Sequence, residues 1–437
     1  MLAVLANRVY RNLFLAQVVA LIGTGLATVA LGLLAYELAG DNAGAVLGTA
    51  LAIKMVAYVG VSPIAAAFAE RLPRRRMLVT LDLIRAAVAL LLPFVSEIWQ
   101  IYVLIFVLQS ASAAFTPTFQ ATIPDVLPEE REYTRALSLS RLAYDLESVA
   151  SPLLAAALLT VISFNSLFAG TAIGFVASAL LVTSVVLPSP RPAAPRGIYD
   201  RTTRGARIYL KTPRLRGLLA LTLAVSAAGA MVIVNTVVLV QSVFGLDQKA
   251  MAVALAAFGG GSMVAALALP RLLDNMPDRP VMITGAGVLV IGLLAGALLP
   301  GYLPLLMLWA VLGIGYSITQ TPSGRLIRRS SRPEDRPALF AAQFALSHAM
   351  WLITYPLAGW LGATAGMVTT FMVMALVAAA GLGAAVWLWP AADPAEIDHV
   401  HDDLPADHPH LAGATGGGRR HRHDYVIDAE HTSWPEG

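Results

Sequence analysis

Lys54, Asp145, Glu147 and His348 stand out among the ionisable side chains inside long apolar runs of this 437-residue sequence. A charge in hydrocarbon costs roughly 2.5–3.5 kcal/mol on insertion scales, so each needs a partner, a wet gap or a cargo. Arg141 and Asp145 are spaced i, i+4, share a helical face and can pair, whereas Glu147 faces elsewhere. A carboxylate held there can take up and release a proton during a cycle, and the same holds for Asp145 once it leaves Arg141. Against these roles stand blander ones: a structural pair for Arg141–Asp145 and a neutral, hydrogen-bonded imidazole for His348. Asp82 and Arg85, i and i+3, sit near one end of their run and read as a structural pair or as part of a latch. Glu37 lies at a run's edge and reads as solvated.

A second chemistry-bearing set lies beyond residue 390, where seven of the eight histidines fall. Three His-x-His pairs, His399/His401, His408/His410 and His421/His423, stand among carboxylates, with His431 alone. Neutral imidazoles in that density suit nickel, zinc, copper or cobalt, and no other cofactor is expected. The competing reading is a solvated tail with no part in transport. Tyr425-Val-Ile427 and Trp434 could dock its end on the body.

The elements that must hold the first set are membrane helices. Hydrophobic residues make up 57% and charged ones 13%, against about 45–50% and about 25% in soluble domains. Apolar runs fall near 13–38, 44–68, 77–96, 98–120, 136–161, 164–187, 217–243, 248–270, 280–299, 302–323, 337–361 and 365–389. Each can cross a bilayer, and lipid demands that each do so as a helix. The N-terminus enters the first run without a cleavage motif, so no removable signal is expected. Absence of cysteine excludes disulfides and thiolate metal sites. No Walker-type Gly-x-x-x-x-Gly-Lys occurs, and no enzymatic constellation stands out. Positive charge is not gathered on one face, so no nucleic-acid partner is expected.

Turns after odd-numbered runs hold a single Lys/Arg, Lys249. Turns after even-numbered runs hold Arg71, Arg74, Arg75 and Arg76; Arg131 and Arg135; Arg271 and Arg279; and Arg325, Arg328, Arg329, Arg332 and Arg336. The connector 188–216 adds eight Lys/Arg and five prolines. This bias predicts both termini and the connector in the cytoplasm, in a bacterial-type inner membrane. The halves echo each other 205 residues apart: Thr116-Pro117 with Thr321-Pro322, Pro128-Glu129 with Pro333-Glu334, Arg74 with Arg279, Met77 with Met282. The expected organisation is therefore an all-α membrane protein with a six-helix bundle at 1–187, a basic linker at 188–216, a second pseudo-symmetric bundle at 217–390, and a mostly disordered His-rich tail at 391–437.

Ala66-Ala-Phe-Ala-Glu70-Arg71-Leu-Pro73-Arg74-Arg75 resembles the signature loop of the major facilitator superfamily, with Ala66 and Pro73 in place of glycines and Glu70 for the usual Asp. The resemblance implies twelve spans and a latch of Glu70, Arg71 and Arg74, with Asp82 and Arg85 as partners. It also implies a cavity lined by spans 1, 2, 4, 5, 7, 8, 10 and 11. Glu147-Ser-Val-Ala-Ser151-Pro152-Leu-Leu-Ala155-Ala156 resembles a weakened form of the exporters' Gly-x-x-x-Gly-Pro-x-x-Gly-Gly, in which Ser151 and Pro152 allow close packing and a kink. Phe106 stands where proton-coupled drug exporters carry an Arg three residues before Gln109, so coupling needs another ionisable group. Pro124-Asp125 and Pro128-Glu129-Glu130 resemble the siderophore-exporter branch, and the tail is similar to that of nickel-resistance exporters. The expectation is a monomeric, proton-coupled exporter of a small amphipathic molecule such as a drug or siderophore. Its alternatives are nickel/cobalt efflux through a metal-binding tail, or a non-transporting membrane receptor or scaffold.

Overall fold

The structure is a computed structural model and describes residues 2–39, 43–69, 72–188, 197–298, 301–394, 396–400, 410, 420–428 and 430–435. Among these, twelve helices have 18 residues or more. In the first half they are α1 (Arg8–Ala39), α2 (Ala43–Ala69), α3 (Arg74–Leu91), α4 (Ile98–Val126), α5 (Glu130–Leu158) and α6 (Phe164–Thr183). In the second half they are α8 (Pro213–Val237), α9 (Gln248–Leu273), α10 (Asp278–Gly296), α11 (Tyr302–Gln320), α13 (Arg336–Thr364) and α14 (Gly366–Leu388).

Eleven of the described helices are long and apolar enough to cross a membrane. The other long helix is α5, whose length suffices. Its hydropathy is diluted by Glu130, Arg131, Glu132, Arg135, Arg141, Asp145 and Glu147. Span boundaries follow the apolar runs closely, and local chemistry sets several of them. Glu97 and Gln100 form a reciprocal capping box on α4. The Asp247 carboxylate accepts from the Ala250 amide at 3.0 Å to start α9. Thr321-Pro322 ends α11 and starts the short α12 (Ser323–Arg329), because proline removes a helical donor. Outward-facing apolar side chains such as Phe94 and Trp387, 82% exposed each, would be a liability in water and are ordinary against lipid.

Packing repeats between the halves. In the first, α1 lies on α6, α6 on α3, α3 on α4 and α4 on α2; in the second, α8 lies on α14, α14 on α10, α10 on α11 and α11 on α9. The halves meet along α2–α13 and α5–α9, two seams that a two-fold operation exchanges. This is the all-α, pseudo-symmetric arrangement expected from the 205-residue echo.

Two departures stand out. Within the connector, Ile198–Lys211 forms a helix, α7. It buries Arg201, Gly205, Ile208 and Tyr209, which the i, i+4, i+7, i+8 spacing places on one face. The tail, where disorder was expected, forms an antiparallel pair of strands, β1 (Glu396–Val400) and β2 (Arg420–Asp424), with His399 opposite His421. Tyr425 and Ile427 are buried in the core of the second half, and Trp434 packs beside them. The sequence composition of that segment is polar enough to suggest disorder; these apolar anchors supply the burial that orders its end.

Candidate functional site

The seams bring the mid-span residues together. On α2, the Lys54 ammonium lies 5.5 Å from the centre of the Tyr58 ring. Tyr58 donates its hydroxyl to Gln109 Oε1 on α4 at 2.9 Å. Across the seam, the His348 ring meets Tyr58 edge-on at 4.7 Å and lies 4.2 Å from Phe344. His348 Nδ1 is 2.7 Å from its own helix's Phe344 carbonyl, which makes Nδ1 the proton-bearing nitrogen.

On α5, Arg141 and Asp145 form the pair that the spacing predicts, Asp145 buried. Arg141 also donates Nε–H to Ser262 Oγ on α9 at 3.1 Å and lies 4.7 Å from the Tyr316 ring on α11. That arginine therefore spans the α5–α9 seam. Glu147 points instead at α1. A Cβ added at Gly25 would sit 2.7 Å from Glu147 Oε1 and overlap the Ser151 side chain, so only glycine lets α1 approach α5 here. Ser151 is buried; the side chain of Pro152 lies outside the described residues. Lys54 and Glu147 are close enough to feel each other's charge. A separate cleft of about 190 Å³ lies between α2, α7 and α13, lined by Val59, Pro63, Arg201 and small residues of α13; it is off the axis of the charged set.

The latch residues Glu70 and Arg71 lie outside the described residues. Arg74 is buried, and its partner is Asp125 at the end of α4 rather than Asp82. Asp125 also takes Arg336 from the start of α13, so one carboxylate ties two arginines, one from each half. Asp82 and Arg85 pair with each other inside the first half. Ser178 donates to Asp82 at 2.8 Å, and the guanidinium is sandwiched between Phe115 and Phe175 at 4.0 and 4.5 Å.

Other contacts close the same end. Arg325 binds Glu130, donates to Thr134 Oγ1 at 2.8 Å and reaches Asp278 at 2.9 Å. Arg328 donates to the Pro128 carbonyl, and Arg131 lies 3.5 Å from Asp274. Among the described residues, polar contacts between the halves occur from the Arg141–Ser262 level to this arginine-rich end. The conformation is closed there. None of these contacts between the halves was legible in the sequence, because their partners lie 121 to 279 positions apart.

The tail supplies the one group of metal-ligand spacing found among the described residues: His399, His410, His423 and His431, with one ligand atom from each lying within 4.8 Å of the others. Of the residues expected to bind metal, His401 and His408 lie outside the described residues, as does the side chain of His421. His431, a lone histidine in the sequence, joins the set. Its neighbourhood offered a signal, since Asp428 three residues earlier holds it. Burial pushes Asp428 up, but hydrogen bonds from His431 and the charge of Arg332 outweigh it and keep the carboxyl below its ordinary range.

Two matched helical bundles, ionisable groups along the seams where they meet and an ion-paired closure at one end fit a membrane transporter rather than an enzyme. The chain belongs to the Major Facilitator Superfamily, whose sequence profile matches residues 13–302 and 218–407. It is 26% identical over 152 residues to macrolide efflux protein A of Streptococcus pyogenes, an alignment covering 32% of this chain and only 37% of that relative. Among solved structures it resembles the human organic anion transporter MFSD10 (TM-score 0.75, 13% identity, covering 86% of this chain and 99% of that one). A bacterial homologue of the iron transporter ferroportin in its outward-facing state is similar as well (TM-score 0.73, 13% identity, 87% and 99% covered). At such identities these structures speak for the fold alone.

Proposed function

We propose that the protein is a proton-coupled exporter of a small amphipathic organic molecule in the inner membrane, working as a monomer by alternating access with its arginine-rich end in the cytoplasm. The observation that carries this is the division of labour on α5: Arg141 engages Asp145, while Glu147 stands apart against α1 and within reach of the charge of Lys54. A carboxylate and an ammonium near the packed rings of Tyr58, Phe344 and His348 suit a cargo with an apolar body and a polar or charged group. Glu147 is the group that would exchange a proton for cargo as the gap opens alternately to each side. Partial identity to macrolide efflux proteins supports export and an organic cargo. The positive-inside bias supports the orientation.

Metal efflux is the second reading, favoured by the histidine cluster. Inverted vesicles with an imposed pH gradient test both. Gradient-driven uptake of a macrolide or cationic dye, lost in Glu147→Gln, is the expected result. Gradient-driven uptake of nickel or cobalt with no response to organic compounds would replace the first reading with the second. A chain that moves neither, yet still matters to the cell, would point to a receptor or scaffold.

A further inference from the structure

The four tail imidazoles gather so that one ligand nitrogen from each lies within 4.8 Å of the others. His399 Nδ1 lies 3.0 Å from the Ile397 carbonyl, His423 Nδ1 2.7 Å from the Asp424 carbonyl, and His431 Nδ1 2.9 Å from Asp428 Oδ1. Carbonyl and carboxylate oxygens only accept, so in these three rings Nδ1 carries a proton and Nε2 is the nitrogen placed to ligate. Those Nε2 atoms then face one another: His399 to His431 at 3.0 Å and His423 to His410 at 3.3 Å. A cation among the four rings would turn these nitrogen–nitrogen contacts into metal–ligand bonds. A tetrahedral ion with bonds of about 2.0–2.1 Å would set its nitrogens about 3.3–3.4 Å apart, close to these separations.

We propose that His399, His410, His423 and His431 form a site for one borderline divalent cation, of the zinc, nickel and cobalt class, and that the loaded site clamps the tail onto the closed arginine-rich end. An all-imidazole set of this kind selects against calcium and magnesium, which want oxygen. The outer shell is in place: Asp428 holds His431, and backbone carbonyls orient His399 and His423. The inference does not depend on which cargo the bundles carry, since the site lies outside them.

The link to the gate is covalent and ionic. Asp428 also binds Arg332 at 2.6 Å. Arg332 lies four residues before Arg336, the arginine that engages Asp125 across the halves. The rest of the tail is tied to the second half, through Lys211 donating to the Thr432 carbonyl at 2.8 Å and Arg214 over Trp434 at 4.9 Å. The ion would thus hold β1, β2 and the 425–434 segment as one piece, with Asp428 presented to Arg332.

The test uses the full chain in detergent, stripped with chelator and titrated with Co(II). One equivalent should bring up the intense visible bands of tetrahedral Co(II). His399→Ala and His431→Ala should each weaken binding at least tenfold, Asp428→Asn by about 10–100-fold as an outer-shell change, while His348→Ala in the bundle binds as wild type. Spin labels on Glu129→Cys and Met276→Cys, on opposite halves, should show the short-distance population growing with Co(II), and Arg332→Gln should bind metal normally yet lose that response. Octahedral or absent Co(II) spectra, or equal affinity in the histidine variants, would overturn the site. Metal binding that leaves the spin-label distances unmoved in the otherwise unaltered chain would overturn the clamp.

Discussion

Replacing Asp125 by Asn isolates the energy that keeps the arginine-rich end shut. Asp125 holds Arg74 within the first half and Arg336 across the gap, with side chains 16%, 3% and 14% exposed. Losing the Arg74 contact acts on both conformations alike and largely drops out of their balance. Losing the Arg336 contact acts only on the closed one. A hydrogen bond between charged groups is worth about 1.5–3 kcal/mol, and a shift of that size changes a two-state ratio by about 10- to 150-fold. The native sequence holds no cysteine, so the pair Glu129→Cys and Met276→Cys can be spin-labelled without background. Asp125→Asn should shift the distribution measurably toward longer distances. Arg336→Gln should do the same, and the double variant should shift little beyond either single one, because both remove one contact. If Asp125→Asn leaves the distribution as it is, the contact does not hold the gate and the reasoning fails.

Glu147→Gln should abolish gradient-driven transport while leaving the amount of folded protein in the membrane unchanged; retained driving by the pH gradient in vesicles would count against proton exchange at this residue. Asp145→Asn should lower stability as well as transport, since it strands Arg141, and a melting curve identical to wild type would show the pair to be dispensable. Asp82→Asn should cost about 3–5 kcal/mol by leaving Arg85 buried without its carboxylate, read as a clear loss of thermal stability in detergent; equal stability would mean that the two flanking phenylalanines suffice. Gly25→Leu should prevent close approach of α1 to α5 and destabilise the first half by about 1–3 kcal/mol or more, measured by melting and by loss of transport, with normal behaviour in both disproving the tight packing.

The helices were legible because lipid imposes one solution on every apolar run: from 98–120 to Ile98–Val126, and from 365–389 to Gly366–Leu388, prediction and structure differ by a few residues. Local pairs were legible for the same reason of fixed geometry, as with Arg141–Asp145 and Asp82–Arg85. What stayed hidden depends on distant positions. Asp125 and Arg336 are 211 residues apart, and nothing in either neighbourhood names the other. Likewise, the His-x-His pattern drew attention to neighbours, whereas the cluster takes one histidine from β1, one from the segment between the strands, one from β2 and one from beyond it. The amphipathic face of α7 was present in the sequence but masked by the prolines and arginines around it.

That helix bears on how the halves can swing. Arg204 grips Asp335 through two bonds of 2.6 and 2.9 Å, Tyr209 donates to Gln343, and Gly205 lies against the Ala338 backbone, so two successive turns are bolted to the second half. Toward the first half it reaches out through Arg201, which donates to the Ala67 carbonyl at 3.1 Å. Among the described residues of the connector, α7 is therefore less a slack rope than a hinge plate, fixed on one side and hooked on the other. If the halves rock as proposed, each stroke lifts that hook, and Arg201→Gln should then change the rate of transport.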